Sequence, residues 1–104
     1  DMAEVLQIAS PVYFYSVCAQ LKAVIDRTVA RWLEVKNKEF YYIVTMADTD
    51  NSSADTAIAC FRGYADCVEG AAEKGVIIGS GVYDFGEVKN TQAIKDAYNM
   101  GKNV

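Results

Sequence analysis

The chain alternates between short continuous apolar runs and stretches in which apolar residues recur every three or four positions. Runs of the first kind predict strands, and recurrences of the second kind predict helices. Val5 to Ala9 is a short apolar run stopped by Ser10-Pro11. Proline lacks a ladder donor and holds the residue before it extended, so the first strand is expected to end there. From about Ser16 the spacing becomes helical. Leu21, Val24, Ile25, Thr28, Val29 and Trp32 share one stripe, with Lys22, Asp26, Arg27 and Arg31 largely off it.

Phe40 to Ala47 is a continuous aromatic and β-branched run. That composition suits a strand covered on both faces, the habit of a parallel sheet. A polar loop follows from Asp48 to Ser53, and Ser52 with Asp55 fits a capping box. The next helix should carry Ala54, Ile58, Phe61, Ala65 and Val68 inward and stop at Gly70. Gly75 to Tyr83 predicts a third strand, its glycines marking a close backbone approach or a bend. After a polar loop from Asp84 to Asn90, Thr91 should cap a last helix with Ala93, Ile94, Ala97 and Tyr98 on one side, ended by Gly101. Three strand–helix units in succession predict one α/β domain over residues 1–104, with right-handed crossovers.

Composition narrows the function. Ten basic and 14 acidic residues leave a net charge of −4, against the clustered basic face that nucleic acid requires. No apolar run reaches the roughly 18–20 residues of a membrane span, and no signal segment opens the chain, so the expected setting is cytoplasmic. Cys18, Cys60 and Cys67 form no CxxC and read as buried or half-buried thiols in a reducing compartment. The chain contains no histidine. That removes the usual general base and makes a zinc site hard to assemble. No catalytic side chain and no metal site is therefore expected, and any chemistry would belong to a cofactor. Asp48-Thr49-Asp50 has no following carboxylate at calcium-loop spacing and reads as a solvated capping loop. Gly79-Ser80-Gly81 lacks the lysine and the glycine spacing of a phosphate loop.

One segment carries more information than the rest. Ser10-Pro11-Val12-Tyr13-Phe14-Tyr15-Ser16-Val17, followed by Ala19-Gln20-Leu21-Lys22-Ala23-Val24-Ile25-Asp26-Arg27, closely resembles the flavin-binding loop and helix of the flavodoxin-like NAD(P)H-dependent FMN reductases. Thr45-Met46-Ala47-Asp48, Cys60-Phe61-Arg62-Gly63 and Gly79-Ser80-Gly81-Val82-Tyr83 are similar to later parts of that family. The likeness runs from Ile8 to Val104. It implies a flavodoxin-like three-layer parallel sheet, truncated to about three strands and three helices. The family's first strand, its Ser/Thr-rich phosphate-holding loop and its second strand have no counterpart in these residues. Asp1 to Gln7 resembles the helix before the family's third strand, and its conformation here stays open between helix and strand.

The resemblance implies FMN as cofactor, NAD(P)H as co-substrate, and a quinone, flavin or similar small molecule as electron acceptor. By the same resemblance Ser10, Pro11, Tyr13, Phe14, Ser16 and Val17 would hold the isoalloxazine ring, with Thr45, Ala47 and Gly81 on neighbouring loops. A flavin needs an aromatic wall and a few backbone N–H groups, and N–H groups near Ser16 and Val17 are expected to open the helix. The bland alternative is that these aromatics only pack the strand end. Trp32 is expected in the core, with a partner surface formed by Arg31 and Trp32 as the other reading. Without the family's first two strands, the Val5–Ala9 strand would expose an unpaired edge, which predicts a homodimer or higher oligomer. The alternative to the oxidoreductase is a non-catalytic module that dimerises through that edge and does not bind FMN.

Overall fold

A computed structural model describes residues 3–104. Asp1 and Met2 lie outside the described residues, and with them the first part of the Asp1–Gln7 stretch. The elements are β1 (Val5–Pro11), α1 (Ala19–Arg27), β2 (Glu39–Thr45), α2 (Asp55–Asp66), β3 (Ala72–Gly79) and α3 (Gln92–Lys102). Short 3-10 segments run over Thr28–Glu34 behind α1, Asn51–Ala54 ahead of α2 and Glu87–Asn90 ahead of α3. Among the described residues the sheet has three strands in the order β1-β2-β3, and both pairings are parallel. Val5 to Gln7, open between helix and strand in the sequence, is strand and pairs with Glu39 to Tyr41.

The two faces of β2 are covered differently. Phe40, Tyr42 and Val44 point to one side and are fully buried with Ala54, Ala57 and Phe61 and the nearly buried Ile58. The rings of Tyr42 and Phe61 stack with centroids 5.2 Å apart. Leu6, Ile8, Val17 and Leu21 pack against this cluster from β1, its loop and α1, so α1 and α2 share that face. Replacing a fully buried aromatic such as Phe61 by alanine costs about 3–5 kcal/mol in such cores. The opposite face is covered by α3, which runs close over β3. A Cβ on Gly75 would lie 2.6 Å from Met100 Sδ and 3.3 Å from the Tyr41 ring, so glycine is what lets the methionine in. Tyr41 is buried there, while Ala9 and Gln7 on β1 remain exposed.

Several expected boundaries move. β1 continues through Pro11. Glu39 donates to the Glu4 carbonyl and Val12 to the Thr45 carbonyl, so the backbone of even-numbered residues in β1 faces β2. Pro11 is odd-numbered, and its missing N–H would have pointed to the open edge, where proline is tolerated. The helix begins at Ala19, not Ser16, because residues 13–16 close a turn of their own. It tightens to 3-10 after Arg27, where the Thr28 hydroxyl donates to the Ile25 carbonyl at 2.7 Å. β3 starts at Ala72 and ends at Gly79, earlier than expected at both ends. Lys74 is the extra residue at a register shift opposite Phe40 and Tyr41. α2 ends at Asp66, and Gly70 takes its positive φ of 73° in the loop beyond. In α3, Ala93, Ala97 and Met100 are the half-buried positions, whereas Ile94 and Tyr98 are exposed. Tyr98 instead receives the Lys102 ammonium 5.5 Å from its ring centroid.

Candidate functional site

In a parallel α/β sheet the loops leaving the carboxyl ends of the strands gather on one side, where such folds bind ligands. Here these are residues 12–18, 46–53 and 80–90. The first is a two-residue hairpin. Tyr13 N–H donates to the Ser16 carbonyl, and Ser16 N–H to the Tyr13 carbonyl, both at 3.0 Å. Its two central residues, Phe14 and Tyr15, both take positive φ, 50° and 68°. Asn-Gly is the sequence that relaxes into such a turn. Bulky side chains there cost about 1–3 kcal/mol each, and strain of this kind collects at functional sites. The turn holds Phe14 wholly in solvent (99% exposed), with Tyr13 and Tyr15 more than half exposed.

The base of this loop is fixed. Ser10 is buried, and its hydroxyl accepts the Cys18 N–H at 2.9 Å while donating to the Pro11 carbonyl at 2.7 Å. The Ser10 hydroxyl and the Leu21 N–H also hold the Cys18 thiol below its ordinary range. Cys18 precedes α1 as its cap, so the expectation that Ser16 and Val17 open the helix does not hold. The N–H of Ser16 is already spent on the hairpin.

The second and third loops are zipped together. Met46 N–H donates to Gly79 and Gly81 N–H to Asp48, at 2.9 and 2.8 Å, and Val82 N–H donates to Met46 at 2.9 Å. Gly81 has φ of 68°, and a Cβ on it would meet the Thr49 methyl at 3.3 Å. Asp50 caps the 3-10 segment by accepting from Ser52 N–H at 2.9 Å, so the expected Ser52–Asp55 capping box is replaced by a cap two residues earlier. The Asp48 carboxylate accepts from Asp50 N–H and the Ser53 hydroxyl, which holds it below the usual carboxylate range. Glu87 is lowered likewise by the N–H groups of Asp84 and Tyr83. That clamp leaves Tyr83 (85%) and Phe85 fully out in solvent.

The residues singled out in the sequence therefore sit in three kinds of place. Tyr13, Phe14 and Ser16 form the hairpin, and Val17 turns down toward the core. Ala47 is exposed on the second loop, beside Gly81 on the third. Pro11 and Thr45 are register partners and line a small hollow of about 180 Å³ with Ala9, Ser10 and Ile43. Ser10 itself is structural support for the loop. Tyr83 and Phe85 were not singled out. The signal for them was two aromatics flanking an aspartate directly after a glycine-rich strand.

The groups that a flavin ring would need, aromatic surface and N–H donors, can be looked for on these loops. Five exposed aromatic rings stand on two of them. Among the described residues the N–H groups of Phe14, Tyr15, Val17, Ala47 and Ser80 have no protein acceptor. A phosphate fits less well, since Lys89 is the one basic residue within the three loops.

A larger hollow of about 580 Å³ lies elsewhere, between α1 with its 3-10 extension and α2. Ile25, Val29, Trp32, Cys60 and Tyr64 line it. Trp32 is 42% exposed there, not in the core as expected, and Val24 and Val29 of the same stripe are also exposed. Cys18 and Cys60 are half-buried as expected, while Cys67 is exposed; all three are free thiols.

No family model matches the chain, and no curated protein matches it. Its fold is similar to that of a solved structure, the Trp repressor binding protein from Bacillus subtilis, with a TM-score of 0.81 and 21% identity. The match covers 95% of this chain and 69% of that one. The chain has a flavodoxin-like α/β fold, represented here by three parallel strands and three α-helices among the described residues.

Proposed function

We propose that this chain is an FMN-binding oxidoreductase of the NAD(P)H-dependent FMN reductase kind, with a quinone, flavin or similar small molecule as acceptor. The observation that carries this reading is the strained hairpin. Two adjacent aromatics are held at positive φ at a cost to the fold, with Phe14 wholly in solvent and Tyr15 more than half exposed. They suit a flat apolar ligand.

When bound, the flavin would supply the hydride and electron chemistry, which agrees with a chain that has no histidine. The chain's own residues bind and orient. Tyr13, Phe14 and Tyr15 would wall one side of the ring, with Tyr83 and Phe85 opposite, and the N–H groups of Val17 and Ala47 would meet its polar edge. Ser10 would hold the hairpin in place through Cys18. The proposed setting is cytoplasmic; among the described residues no helix is long and apolar enough to cross a membrane.

The test is a titration of FMN followed by quenching of flavin fluorescence. Submicromolar binding lost in Phe14→Ala, together with FMN-dependent NAD(P)H oxidation, is the expected result. Absence of binding at tens of micromolar would favour the second reading, a non-catalytic module that dimerises. One observation supports that second reading: the backbone groups of Val5, Gln7 and Ala9 face away from β2 along an edge with no described strand beside it.

A further inference from the structure

The helix behind the aromatic loop has little of the fold to rest on. Among the described residues of α1 (Ala19–Arg27) and its 3-10 extension (Thr28–Glu34), none is buried. Leu21 packs against the core cluster from within this segment, and Val35 does so just beyond it. Val24, Val29 and Leu33 are each more than half exposed, and Trp32 is nearly so. α1 has nine residues. A helix shorter than about 12 residues is marginal in water, and packing of its apolar stripe is what normally holds it. A row of large apolar side chains in solvent marks a surface that something covers.

Two observations bear on what covers it. The first is extent. Ile25, Val29 and Trp32 line the hollow of about 580 Å³ against Cys60 and Tyr64 of α2, whereas the exposed Val24 and Leu33 stand outside it. A small molecule in the hollow would leave those two in water, and a second helix laid along the stripe would reach them. The second is charge. Lys22 is paired with Asp26 and Arg31 with Glu34, each at 2.6 Å, so four of the segment's five charges are matched within the chain. Residues 19–34 carry three basic and two acidic side chains, and the remainder carries seven basic against 12 acidic. Contact between two copies at this segment keeps that acidic excess out of the interface, where it would repel.

We infer that a second copy of this chain covers the face, in a two-fold dimer that lays α1 and its extension against the same segment of the partner. An isologous contact requires one surface to offer both a projection and the recess that receives it. This surface does, with Val24 and Leu33 projecting beside the hollow. A second copy is also the one occupant present in equal amount wherever the chain folds, which suits a helix that its own fold leaves largely uncovered. The contact is separate from the open edge of β1 and from the strand-end loops. It therefore stands whether or not the chain binds a flavin.

The chain has a single tryptophan, Trp32, so tryptophan emission reports on this face alone. The full chain is followed by sedimentation velocity from micromolar to hundreds of micromolar, with emission recorded on the same samples. The expected result is a monomer–dimer equilibrium in which emission moves to longer wavelength as the dimer is diluted. Leu33→Glu loses no buried contact and sets an unmatched carboxylate into the apolar interface on both copies, so association should weaken about a hundredfold or more. Val24→Glu should do the same, and the emission of both variants should match that of the diluted parent. Gln7→Pro removes an N–H donor from the open edge of β1 and should leave association unchanged. Circular dichroism checks that each variant is folded before it is compared. A monomer throughout the range overturns the inference. So does a dimer that survives both glutamate variants, or one whose tryptophan emission is unaffected by dilution. Loss of the dimer in Gln7→Pro alone would also overturn it and place the contact at the β1 edge. A monomer carrying a co-purified small molecule in native mass spectrometry, released by Trp32→Ala, would overturn it and give the hollow to that ligand.

Discussion

The Ser10 hydroxyl accepts the backbone N–H of Cys18 at 2.9 Å, tying the end of β1 to the head of α1 eight positions further along the chain. The same hydroxyl donates to the Pro11 carbonyl, so both of its hydrogen-bonding roles are used inside the fold. That buried group fixes the loop at its base, together with the Val12 N–H on the Thr45 carbonyl and the packing of Val12 and Val17 against the core. Ser10→Ala should cost about 1–3 kcal/mol, because the Cys18 N–H loses its acceptor at a half-buried position. The measurement is the urea midpoint of the variant. Unchanged stability would show that water replaces the hydroxyl without loss. Ligand binding at the hairpin should weaken with stability, since the loop's anchor is the part removed.

Tyr42 offers the opposite case. It is fully buried on β2 and stacked on Phe61, yet among the described residues its hydroxyl has no partner. Burial, with the nearby Glu73 charge as the smaller cause, pushes its pKa up. An unpartnered buried hydroxyl costs about 1–3 kcal/mol of desolvation. Tyr42→Phe keeps the ring and removes the cost, so the variant should be at least as stable as the parent and up to about 1–3 kcal/mol more so. A clear loss of stability on thermal or urea unfolding would mean that the hydroxyl makes a bond in solution.

Much of this architecture is legible in the amino-acid sequence. The run from Phe40 to Ala47 reads as a strand covered on both faces, observed over Glu39–Thr45, and Ala54, Ile58 and Phe61 as the helix that covers it. What stays hidden depends on contacts distant in sequence. Ala72 to Lys74 looks too polar to begin a strand. Its charges are met from elsewhere, Glu73 by Arg62 of α2 and Lys74 by Glu39 of the neighbouring strand. The positive φ of Phe14 and Tyr15 is also hidden, because aromatic residues are poor signals for a turn that normally takes asparagine and glycine. Trp32 misleads for a third reason. Helical spacing identifies an apolar stripe but does not say how far the facing helix reaches, and here α2 leaves a groove beside it.

The pairing of Arg62 with Glu73 sets a pH dependence. The guanidinium meets the carboxylate through two bonds, Nε to Oε1 at 2.9 Å and Nη2 to Oε2 at 3.0 Å, joining α2 to β3. The Arg62 side chain holds Glu73 below the ordinary carboxylate value of 4.5. A carboxylate with a lowered pKa in the fold stabilises above its unfolded value, and that contribution disappears as pH falls through the folded one. Stability should therefore be flat from neutrality to about pH 5 and decline below it. Asp48 and Glu87 are lowered by backbone N–H groups and should add to the same decline. Arg62→Met removes only the first contribution, so its stability–pH curve should fall less steeply on the acid side. Identical slopes for parent and variant, from urea midpoints across that range, would show that solvent screens the pair completely.

The hairpin makes the most direct prediction, because fold and function should respond in opposite directions. Phe14 and Tyr15 occupy the two central positions of a turn in which both residues need positive φ. Phe14→Asn with Tyr15→Gly supplies the pair that adopts this turn without strain. The exchange gives up no buried contact at Phe14, which is 99% exposed. The double variant should be more stable by about 1–3 kcal/mol, some of the relief being offset by the extra unfolded freedom of glycine. Flavin binding should fall at least tenfold with the loss of two rings from the wall, since stacking on an aromatic is worth about 1–3 kcal/mol. Higher stability together with lost binding would identify the strain as a cost the fold carries for its ligand. Higher stability with flavin binding intact would remove these two rings from the site and leave Tyr83 and Phe85 as its aromatic wall.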